Sequence, residues 1–136
     1  MSLLLITGAI TLLLTIIIAW FMVLIGLKVK VINSLFPGYS SLVKAHVDYV
    51  IMTALIFTVY LVLSHLNLEL PKLTIATLCI GSLLNPFFFL LMAMKPDLDQ
   101  LKPPASVIVQ ISALTSNALT SYGYVYALFV IIFSVI

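Results

Sequence analysis

The chain has 136 residues, of which 64% are hydrophobic and only 7% charged, and its mean hydropathy is +1.33. Water-soluble domains are about half apolar and a quarter charged, so a soluble globular fold is excluded. Intrinsic disorder, which needs low hydrophobicity, is excluded with it. Six lysines, no arginine and four acids leave a net charge of +2, too little to track nucleic-acid phosphates, so no nucleic-acid partner is expected. The single Cys79 excludes an intramolecular disulfide framework and a thiolate metal cluster. Length suits one domain over 1–136, and composition makes it an integral membrane protein.

Four stretches are long enough to cross a hydrocarbon core, which takes roughly 20 apolar residues as helix. The first, about 3–27, carries no charge, and it lacks the basic leader of a secretory signal. The second, about 45–66, is apolar apart from His46, Asp48 and His65, all expected near its ends. Asp48 would then sit in the first turn, where the positive end of the helix dipole suits a carboxylate. The third, about 73–94, is uncharged and holds Asn85-Pro86 in its second half. The fourth, about 106–136, is uncharged for 31 residues, so it must tilt, kink or project beyond the bilayer. These unbroken runs lack the alternation of a barrel, and helices satisfy every backbone group within one segment in lipid. The expected fold is all-α, an integral membrane four-helix bundle that oligomerises.

The connectors are rich in turn formers. Lys28 to Lys44 contains Asn33, Pro37-Gly38 and Ser40-Ser41, with a Leu35-Phe36 pair suited to the membrane interface. Asn67 to Lys72 is a short connection with Pro71 at the next helix entry. Lys95 to Ala105 holds Pro96, Pro103 and Pro104, and Ser106 is the expected N-cap of the last helix. The first and third loops carry Lys28, Lys30, Lys44, Lys95 and Lys102, against Lys72 alone elsewhere. By the positive-inside rule, this predicts a multi-pass protein of the cell membrane with both termini outside the cytoplasm.

Polar groups within spans are costly unless partnered, so they mark the places where a site can be. At helical spacing His46, Tyr49, Thr53 and Tyr60 share one side of the second span, and Asp48 points roughly the other way. His46 can ligate a metal or haem, shuttle protons, or bond a loop carbonyl or headgroup. In the third span Cys79, Ser82 and Asn85 form a stripe, and Pro86 predicts a bend that frees a carbonyl. Asn85 there either binds a ligand or satisfies the broken backbone. Phe87, Phe88 and Phe89 read as packing. In the fourth span Gln110, Asn117 and Tyr124 recur every seven residues, with Ser121 beside them. Ser112, Ser116, Thr120 and Gly123 form an adjoining small-residue strip. These residues predict a helix-packing or oligomer seam, or a pocket wall facing the His46 stripe.

Several chemistries are absent from the sequence. There is no phosphate-cradling glycine loop, no Gly-x-Ser-x-Gly elbow and no His-Glu-x-x-His pair. His46 and His65 are 19 residues apart, roughly 30 Å along a helix, so one subunit offers no bis-histidine site from this span. A single axial histidine suffices for haem. Without an intramembrane acid pair or basic row, a proton pump or voltage sensor is not expected.

Ala45-His46-Val47-Asp48-Tyr49-Val50 and Gly81-Ser82-Leu83-Leu84-Asn85, in a layout of four short spans, resemble the styrene oxide isomerase and hydroxylaminobenzene mutase family. The resemblance implies a trimer with haem b between neighbouring subunits and His46 as the axial ligand. It further implies an iron that acts as a Lewis acid, rearranging an epoxide or hydroxylamine without net redox change. The sequence departs from the family at Met52, where the family has an asparagine, and at Leu83 or Leu84, where it has a tyrosine. Haem binding needs only the histidine and an apolar slot, so the resemblance implies it more strongly than it implies epoxide isomerisation.

The leading expectation is therefore a haem-binding isomerase-like protein, His46 ligating iron and Tyr49, Thr53, Asn85 and Asn117 lining the substrate pocket. The alternatives are a non-enzymatic small subunit packing against a partner membrane protein through the fourth span, and an oligomeric channel or carrier lined by Gln110, Asn117 and Tyr124.

Overall fold

A computed structural model of the chain describes residues 1–100, 103 and 105–136. Five α-helices follow in order: α1 (Ser2–Gly26), α2 (Lys30–Leu35), α3 (Tyr39–His65), α4 (Lys72–Met94) and α5 (Ala105–Val135), with a 3-10 turn at Pro96–Gln100 before the last. Four of them, α1, α3, α4 and α5, are long and apolar enough to cross a membrane. The chain is all-helical over these elements, as hydropathy alone implies, and its apolar outer faces suit contact with lipid.

The helix ends differ from the sequence expectation in an informative way. The second span begins at Tyr39, six residues before the expected Ala45, directly after the Pro37-Gly38 break. Tyr-Ser-Ser-Leu-Val-Lys is too polar to register as membrane-spanning, yet nothing in it opposes helix. His46 is consequently the eighth residue of α3 and Asp48 the tenth, and Asp48 is no first-turn partner of a helix dipole. Ser106 lies just inside α5, which starts at Ala105, rather than capping it. Lys102 and Pro104 fall outside the described residues. Lys28 and Asn67 take left-handed backbone, φ 59 and 53, in the turns that end α1 and α3.

Phe36 does not lie in the interface. It is buried against Phe21, ring centroids 5.2 Å apart, in a cluster with Ile18, Leu42, Tyr49 and Ala93, while Leu35 remains exposed. The Gly38 N–H donates to the Ala93 carbonyl at 2.9 Å, tying the first connector to the end of α4. Lys28, Lys30, Lys44 and Lys95 gather at this end of the molecule, with Lys72 at the other.

The spans pack in sequence, α1 on α3, α3 on α4 and α4 on α5, with a lesser meeting of α1 and α4. α3 scarcely touches α5, which is held almost wholly by α4. The reason is local. A methyl group at Gly81 would fall 2.6 Å from the Thr120 backbone nitrogen, and one at Gly123 would fall 2.7 Å from the Leu78 Cβ. Glycine on both sides lets the two backbones close to near contact, and Ser116 and Thr120 are buried in the same seam. The small-residue strip of the last span is thus used within the chain, against α4.

Candidate functional site

Three pairs of contacts set the register between antiparallel neighbours: Thr53 with Thr11, Asp48 with Asn85, and Gly81 with Thr120. They place His46 level with Ile18 of α1, and Asp48 level with Asn85 and, one turn along α4 and α5 from Gly81 and Thr120, with Ser116. Asn85 is two residues from the middle of α4 and Asp48 four from the middle of α3, so the pair sits within about 6 Å of mid-span. His46 lies about 9 Å from the middle of α3. Neither residue is at a helix end.

The polar side chains of α3 divide between two faces. Tyr49 is buried, its hydroxyl donating to the Leu83 carbonyl at 3.3 Å. Thr53 is buried too, its hydroxyl 2.7 Å from the Tyr49 carbonyl and 2.9 Å from the Thr11 hydroxyl of α1. His46, seven residues before Thr53, shares that face and is half-buried. Its Nδ1 is enclosed and has no hydrogen-bond partner. Leu42 and Tyr49 flank it on its own helix, so the ring stands among apolar groups of the inner cluster.

On the opposite face, the Asn85 Nδ2 donates to an Asp48 carboxyl oxygen at 3.0 Å. The amide is therefore not spent on the backbone beside Pro86, and α4 continues as one helix through that proline. Ser82 bonds the Tyr124 hydroxyl at 3.1 Å, joining α4 to α5.

The four expected pocket residues do not converge. Thr53 faces α1, Tyr49 reaches α4 at Leu83, Asn85 reaches Asp48 of α3, and Asn117 is exposed on α5, its Nδ2 returning to the Ala113 carbonyl at 3.2 Å. The seven-residue stripe has no shared partner: Tyr124 reaches Ser82, Asn117 returns to its own helix, and Gln110 lines a pocket with Met92 and Leu98. Two residues differ from their sequence expectation. Asp48 lies within the helix rather than in its first turn, and the Pro37-Gly38 break is the signal that moves it inward. Ser116 lies in the packing seam against α4, where its buried hydroxyl has no partner among the described residues; sequence carries no signal for that.

His46 is the one residue here that would hold haem iron, and its enclosed Nδ1 has no hydrogen-bond partner among the described residues. Separately, the exposed face of α1 carries an apolar groove of about 220 Å³ lined by Thr15, Ile16, Ala19, Trp20 and Val23. That groove is walled by α1 alone, so a macrocycle there needs a second wall from outside the chain. Among the described residues no three of His, Cys, Asp and Glu converge, which disfavours a metal caged by side chains but does not bear on a single axial ligand.

No family model matches the chain, and no curated protein or solved structure is significantly similar to it.

Proposed function

We propose that the chain is a haem-binding membrane protein in which His46 is the axial ligand and copies of the chain, three by resemblance, share haem b between them. The observation that carries this reading is the His46 ring: half-buried beside apolar residues, with an enclosed Nδ1 that has no hydrogen-bond partner among the described residues. Buried polar atoms are nearly always paired, so an unpaired imidazole nitrogen within a span marks His46 as the candidate functional residue. The exposed apolar groove on α1, walled by that helix alone, supports packing of a neighbouring copy against the bundle.

When bound, haem iron supplies a Lewis acid for a redox-neutral rearrangement of a small apolar substrate, epoxide or hydroxylamine in type. The chain's own contribution is to hold the imidazole. Tyr49, bonded to Leu83 of α4, and Thr53, bonded to Thr11 of α1, fix α3 between its neighbours and so the direction in which His46 projects. The surrounding apolar side chains exclude water. The lysine distribution supports a cell-membrane protein with both termini outside the cytoplasm. Protein purified from haem-supplied cells should carry a Soret band at a haem-to-chain ratio no greater than one, and His46→Ala should lose it. A colourless wild-type protein would contradict the proposal.

A second reading, a non-enzymatic subunit that packs against a partner membrane protein, is favoured by one observation. Asn117 presents an exposed amide on α5 that has no interhelical partner among the described residues.

A further inference from the structure

Because α3 and α5 diverge over α4, a groove of about 350 Å³ opens between them, walled by Met52, Leu55 and Val59 on one side and Thr120, Tyr124 and Leu128 on the other. It lies within the spans and is overwhelmingly apolar, so what enters it comes from the lipid phase. Four residues before Met52, on the same face of α3 and one turn beyond the groove, stands Asp48. Asn85 of α4 orients its carboxyl group by a 3.0 Å bond.

We propose that the groove and the Asp48–Asn85 pair one turn beyond it are one lipid-accessible binding site for a protonated apolar amine. The hydrocarbon body lies between α3 and α5, and the ammonium group meets the Asp48 carboxylate. Asn85 donates to Asp48, which leaves the carboxylate an acceptor and suits it to a cationic donor. A carboxylate within an apolar span needs such a partner, and the described residues supply it with an amide only. The site is on the face of α3 opposite His46, so it stands or falls independently of haem.

The test uses the full chain in phosphatidylcholine nanodiscs and a diazirine-bearing dodecylamine, with labelled peptides mapped by mass spectrometry. Label is expected on α3 and α5 around Met52 and Thr120. Dodecylamine should displace it at a concentration at least about tenfold below that needed with dodecanol, the difference expected of one charge-assisted hydrogen bond. Asp48→Asn should abolish that preference. As an independent check that leaves the carboxylate in place, Met52→Trp should fill the groove and remove the label. Equal displacement by amine and alcohol would mean that the groove holds only a hydrocarbon tail, and would overturn the proposal. So would an amine preference that survives in Asp48→Asn.

Discussion

The Asp48 carboxyl oxygen accepts a 3.0 Å hydrogen bond from the Asn85 amide, joining α3 to α4 within about 6 Å of the middle of both helices. Removing the donor strands a carboxyl group where water is scarce. Asn85→Leu should therefore destabilise the chain by about 1–3 kcal/mol in denaturant titration from mixed micelles. A double-mutant cycle with Asp48→Ala should return a coupling of about 0.5–2 kcal/mol, in the range of interhelical polar pairs in membranes. A coupling indistinguishable from zero would mean that the two side chains are not bonded.

The close approach of α4 and α5 rests on glycine. A methyl group at Gly81 meets Thr120 backbone and one at Gly123 meets Leu78 backbone, neither of which can rotate away. Gly81→Ala and Gly123→Ala should each cost about 1–3 kcal/mol. Gly26→Ala, where nothing lies within 4 Å, should stay within about 0.5 kcal/mol of the parent. Because α5 has little other support, limited proteolysis should release it first in the two seam variants.

Asn117 bonds only to its own helix, so Asn117→Leu should leave the fold of a single chain and its thermal midpoint nearly unchanged. If the outer face of α5 is an association surface, the same variant should lower the apparent mass in size-exclusion chromatography or the recovery of a co-purifying protein. Unchanged association would set the second functional reading aside.

Much of the fold is legible from hydropathy. Three uncharged runs and one broken only by Asp48 and two histidines favour membrane-crossing helices, and the small strip of the last run marks where helices approach closely. Depth is less legible, because hydropathy finds the hydrocarbon crossing rather than the helix. α3 begins in a polar stretch, and that six-residue extension carries Asp48 from a first turn to the tenth position. Orientation about an axis is also underdetermined. Asn117 and Tyr124 differ by a near-whole number of turns, yet the long tyrosine reaches across to Ser82 while the short asparagine folds back on Ala113. Burial of Phe36 and isolation of the Ser116 hydroxyl depend on neighbours far away in sequence, which no local pattern records.

Axial ligation by His46 is tested most directly by chemical rescue. Haem-loaded wild-type protein and His46→Gly, produced with the same haem supply, are compared by absorption spectroscopy before and after addition of imidazole. The proposal predicts a Soret band in the parent, its loss in the variant, and its return at the parental wavelength when imidazole fills the vacated position. A variant that keeps the parental spectrum without imidazole would contradict ligation by His46, and a parent without a Soret band would contradict haem binding altogether.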